Sequence, residues 1–124
     1  MTDITQSRIT GRIALPDNTS PLDGYVRFTL TGYDTESGTD AVVLGSFIDA
    51  GIDANGDIDV ELFPTTSGVR SRYYSVTAYE LGEIDDRPHT LGSIQVGDSG
   101  PYDLNDILPV GAIPGLTPDR ALAV

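Results

Sequence analysis

From Arg8 to Leu15 apolar and polar positions alternate, with Ile9, Gly11, Ile13 and Leu15 on one side and Arg8, Thr10, Arg12 and Ala14 on the other. A period of two marks a half-buried β-strand, and Pro16-Asp17-Asn18 stops it. After a turn-rich stretch to Gly24, a second strand sets Val26, Phe28 and Leu30 against Tyr25, Arg27 and Thr29. Gly32 to Asp40 is polar, carries Asp34, Glu36 and Asp40, and reads as an exposed loop. The mostly apolar run from Ala41 to Ile48 reads as a strand buried on both faces. Asp53-Ala54-Asn55-Gly56-Asp57 predicts a tight reversal, because Asn and Gly tolerate left-handed backbone. Ile58, Val60 and Leu62 then face inward and Asp57, Asp59 and Glu61 face water, which makes the two runs a hairpin.

Pro64 ends that strand, and residues 65–71 form a loop leading into a central strand from Arg72 to Tyr79, rich in β-formers. Gly82 to His89 reads as a charged turn, and Leu91 to Val96 as the last strand, with Ile94 and Val96 on one face. Six or seven short strands without a helical period predict an all-β fold, a small antiparallel β-sandwich. Beyond Gly97 the pattern changes. Gly100, Pro101, Pro109, Gly111, Pro114, Gly115 and Pro118 interrupt regular structure, while Leu104, Ile107, Leu108, Val110, Ile113, Leu116 and Leu122 remain apolar. Large aliphatics in such a segment need a surface to lie on, so it reads as an extended C-terminal arm that binds a partner through Leu108, Val110, Ile113, Leu116 and Leu122. The expected organisation is an N-terminal extension over 1–7, a sandwich over 8–97 and the arm over 98–124.

Charge narrows the range of partners. The chain of 124 residues has a net charge of −12, and all of its basic residues are arginine. Phosphate affinity depends on positive charge that this chain largely lacks, so direct nucleic-acid binding is not expected. Like charge keeps free subunits apart, and any meeting of similar surfaces falls to local arginine pairs and apolar contacts. There is no cysteine, which leaves packing and association as the sources of stability. Residues 1–7 do not read as a secretory signal, and no apolar run approaches the ~20 residues of a membrane-spanning helix.

Candidate chemistry fails on spacing. The carboxylates around Asp53–Glu61 invite comparison with a calcium loop. With Gly56 at the sixth position, however, Gly51 stands first and Leu62 twelfth, so both essential carboxylates are missing. An acidic turn with solvated side chains is the expectation. His89 is the only histidine, and without cysteine neither a zinc site nor a nucleophilic triad can be assembled from one chain. No pair of acids is singled out for glycoside hydrolysis. The chain is therefore expected to be non-enzymatic, with no cofactor and no metal. Its tyrosines suit strand packing and a protein interface; a sugar-binding adhesin module using Tyr73, Tyr79 and the acidic turn is an alternative.

The series Ile9-Thr10-Gly11-Arg12-Ile13-Ala14-Leu15-Pro16, Gly24-Tyr25-Val26-Arg27-Phe28-Thr29-Leu30, Asp53-Ala54-Asn55-Gly56-Asp57, Tyr74-Ser75-Val76-Thr77-Ala78-Tyr79 and Leu91-Gly92-Ser93-Ile94-Gln95-Val96 carries a resemblance. Over about residues 7–110 it resembles the small transthyretin-like or immunoglobulin-like sandwiches of tailed-bacteriophage virion proteins, at the start of tail fibres and in capsid-decorating proteins. The resemblance implies a structural protein on the outer surface of the virion, made in the host cytoplasm. Its partners would be phage coat or tail proteins and further copies of itself. The sequence to Val124 shows no heptads or collagen-like triplets of a fibre shaft. A capsid decoration or cement protein is thus the leading expectation, and a tail-fibre or head-fibre attachment domain the alternative.

Overall fold

The computed structural model describes residues 6–18, 24–81 and 84–108. Within them the chain forms β1 (Ser7–Arg12), β2 (Gly24–Leu30), β3 (Asp34–Thr35), β4 (Val42–Val43), β5 (Phe47–Gly51), β6 (Asp57–Leu62), β7 (Tyr74–Glu80), β8 (Arg87–Ile94) and β9 (Tyr102–Asp103). A single 3-10 turn at Thr65–Ser67 and a one-turn helix, α1 (Leu104–Ile107), complete it. One sheet has the order β6-β1-β9 and a second the order β5-β2-β7-β8, with β3 and β4 as a separate short pair. All pairings are antiparallel except that of β1 with β9. The fold is an all-β sandwich, as the alternation requires.

The core lies between the two larger sheets. Ile9, Ile58 and Leu62 of the first pack against Val26, Phe28 and Val76 of the second in one buried cluster. Burying one such side chain contributes roughly 1.5–3 kcal/mol. β7 is central, as its β-formers suggest, and points Tyr74, Val76 and Ala78 inward. The buried Tyr74 hydroxyl donates to the Phe63 carbonyl at 2.9 Å, and burial pushes its pKa upward.

Several expectations are corrected. The first strand ends at Arg12, although burial still alternates through Ile13 and Leu15. The run from Ala41 to Ile48 is not one doubly buried strand. It divides into β4 and the start of β5, and it leaves Val42 62%, Leu44 73%, Phe47 51% and Ile48 40% exposed. Nor does the Asp53–Asp57 reversal close a hairpin. It passes the chain between sheets, since β5 pairs with β2 and β6 with β1. The reversal itself is tight: Gly56 has φ 85°, and the Asp53 N–H donates to the Asp57 carbonyl. The expected charged turn over 82–89 is shorter, because β8 already begins at Arg87 and places His89 opposite Ala78. Residues 65–71 contain the 3-10 turn.

Asp34 and Glu36 overturn the exposed-loop reading of 32–40 most clearly, being 0% and 3% exposed. Asp34 Oδ1 accepts from the Thr35 and Arg70 backbone N–H groups at 2.7 and 2.9 Å, which satisfies donors that packing removes from water. Leu91–Val96 is not the last strand either. β9 pairs with β1, and Leu104 of α1 enters the core. The stretch assigned to the arm therefore begins with two elements of the sandwich.

Candidate interaction surfaces

Alternation on β2, β5 and β7 sends Tyr25, Arg27, Phe47, Asp49 and Tyr79 to the outer face of the four-stranded sheet. The Arg27 guanidinium occupies the middle. It lies 4.0 Å from the Phe47 ring centroid and 5.3 Å from that of Tyr79, and it donates to both Asp49 oxygens at 2.8 and 3.0 Å. Tyr25 and Tyr79, directly opposite in register, stack with centroids 5.0 Å apart. The hydrogen-bonded Asp49 pushes the pKa of Arg27 further up, and the arginine stays charged. The result is a rigid aromatic platform with its one cation already neutralised.

The platform ends at an open edge. Leu30 N donates to the Ser46 carbonyl and Ile52 N to the Gly24 carbonyl. This register turns the backbone groups of Phe47, Asp49 and Gly51 away from β2, along the edge of the sheet. Leu44, Phe47 and Ile48 also line a recess of about 120 Å³ that reaches Leu30, Phe63 and Tyr74. An exposed apolar edge strand is a template for pairing with another chain.

Of the residues expected to bind a partner, only Leu108 falls within the described residues; Val110, Ile113, Leu116 and Leu122 lie outside them. Leu108 is half-buried at the end of α1 and lines a cleft of about 250 Å³ with Ile13, Ala14 and Leu91. Those last three residues also line an adjoining groove of about 320 Å³ that includes Leu15, Ile52 and Ala78. A largely apolar path therefore starts where the described chain ends.

The other candidates are placed as follows. Asp53 Oδ1 accepts from the Asn55 and Asp57 backbone N–H groups at 2.8 and 2.9 Å, so its carboxylate holds the reversal together. Asp59 pairs with Arg8 on the neighbouring strand, and this bond lowers its pKa below the ordinary carboxyl value. His89 is half exposed, 3.7 Å from the Glu80 carboxylate. Tyr73, just before β7, and Tyr79, within it, stand six residues apart along the chain, a span of roughly 20 Å. They do not form one sugar platform.

Sequence reasoning missed a third surface, at the end of the sandwich away from the acidic reversal. The Arg70 and Arg72 guanidinium groups lie 4.6 and 5.8 Å from the Tyr33 ring centroid, and Arg72 Nε donates to the Tyr33 carbonyl at 2.9 Å. No local pattern announces this cluster, because its members are 39 residues apart at that hydrogen bond. No protein-family model matches the chain, and no curated protein matches it. The fold is that of a small β-sandwich, an architecture that serves generically as a structural or interaction module.

Proposed function

We propose that the chain is a non-enzymatic structural subunit of a virus particle, a capsid decoration or cement protein that docks on the outer shell. The observation that supports docking is the β5 edge. Val42, Leu44, Phe47 and Ile48 stand exposed at an edge strand with open backbone groups, on a chain of net charge −12. Such a patch marks a protein contact more readily than a catalytic centre. The resemblance of the sequence to the small sandwiches of tailed-bacteriophage virion proteins supports the placement on a virus particle.

In this reading the β5 edge meets the shell and the segment after Leu108 reaches across a subunit boundary. A protein that binds only the assembled shell opposes its rupture by mass action. Co-sedimentation with purified particles tests it. Phe47→Asp and deletion of 109–124 should each reduce particle binding strongly while the circular dichroism of the sandwich is retained. Undiminished binding in both overturns the reading. Quantitative mass spectrometry of the particles then separates decoration, at hundreds of copies, from a fibre base at a dozen or fewer.

A further inference from the structure

The Tyr33 cluster is built from the inside. Asp34, fully buried, binds the Arg70 N–H through Oδ1, and Val69 N donates to the Thr35 carbonyl at 3.1 Å. Arg72 is tied to the Tyr33 carbonyl. These bonds lock residues 33–36 against 68–72 and hold two guanidinium groups around one ring. Arg8 and Arg27, by contrast, each spend their fork on a carboxylate. Among the described residues neither Arg70 nor Arg72 forms an ion pair, in a chain with nineteen acidic residues. The rim is apolar: Tyr33, Val69 and Tyr73 are 49%, 58% and 44% exposed. Two preorganised planar cations with apolar flanks suit carboxylates presented by a protein surface.

The complementary surface is on the same molecule, at its other end. The strands carry Leu30, Phe47 and Tyr74 at the arginine end and Gly24, Gly51 and Glu80 at the opposite one. Exposed Asp53, Asp57, Asp85 and Asp86 lie at or beyond the latter, where they outnumber the exposed Arg12 and Arg87 and leave that end net negative. A seven-residue strand holds the two ends roughly 20 Å apart, so they cannot meet within one molecule. They can meet between two. We propose that the Tyr33–Arg70–Arg72 patch receives the acidic end of a second copy of this chain, head to tail.

Such a contact is heterologous, so repeated use builds a row or a closed ring of subunits. Net charge opposes it at very low salt. At about 0.15 M ionic strength the Debye length falls to about 8 Å, which leaves the local pairs and screens the rest. Near 1 M salt the pairs themselves weaken. Self-association should therefore be strongest at intermediate salt.

Sedimentation velocity of the full chain over a concentration series, at low, intermediate and high salt, tests this. The wild type should gain mass with concentration, most at intermediate salt. R70E/R72E should weaken association by about tenfold or more, and R70Q/R72Q by less. Both should keep the wild-type circular dichroism, with a urea midpoint lowered modestly and alike by loss of the Arg72 bond to the Tyr33 carbonyl. D85R/D86R should weaken association likewise, and mixing it with R70E/R72E should restore hetero-association. F47D should associate as the wild type does, which separates this contact from docking through β5. A wild type that stays monomeric throughout, or self-association undiminished in R70E/R72E, overturns the proposal.

Discussion

The two ends of the sandwich use the same kinds of side chain in opposite ways. At the reversal end Asp53, Asp57 and Asp59 face water, and Asp53 Oδ1 accepts from the backbone of its own turn. At the other end Asp34 and Glu36 are inside while Arg70 is outside and Arg72 is half-buried. A carboxylate in water costs little and contributes little, whereas a buried one is expensive to leave unmatched and so becomes a fixed point for the backbone around it. Composition shows an acidic chain; the fold sets Arg70 and Arg72 at one end, while at the other Asp53, Asp57, Asp85 and Asp86 outnumber Arg12 and Arg87.

The largest test of this contrast compares one deletion at each end. Asp34→Ala strands two N–H donors and should cost about 3 kcal/mol, against about 1 kcal/mol or less for Asp53→Ala; urea unfolding reads both. Equal costs would dissolve the distinction. Gly68→Ala sharpens it. A methyl group there collides with the Asp34 carboxylate. The clash should cost about 1–3 kcal/mol by the same measurement.

Smaller effects come from groups that only border the two ends. Tyr74→Phe removes the donor to Phe63 and should cost about 1 kcal/mol at neutral pH. Because burial raises the Tyr74 pKa, its contribution is complete below the ordinary tyrosine value of 10.0 and is lost as pH rises toward the folded value. The variant should therefore lose less stability above pH 10.0 than the wild type. The smallest effect belongs to Arg8→Gln. Asp59 is held below its ordinary value of 3.8, so the benefit of the pair is present above that value and fades as pH falls through the depressed one. The stability gap between wild type and Arg8→Gln should close in acid titration, and a gap that widens there would refute the pairing.

Alternation in residues 8–12, 25–30 and 58–62 made β1, β2 and β6 legible, because a strand with one face on a core must repeat every two residues, and β7 was legible as a run of β-formers. The same rule misread Ala41–Ile48. An apolar run implies two buried faces only when something covers both, and this one lies at an edge. Tyr25 and Arg27 were visible as the outward residues of β2, but their meeting with Tyr79 and Phe47 needed the register of β2 with β5 and β7.

The sequence by itself determined the class of fold, the direction of most strand side chains and the tight turn at Asn55-Gly56, since each follows from neighbours a few residues apart. Tertiary structure alone decided which strands pair, that β5 and β6 part into different sheets, and that Asp34 is buried to hold Arg70 in place. Those outcomes depend on contacts tens of residues apart, where pairing partners compete for one core and no local period records the winner.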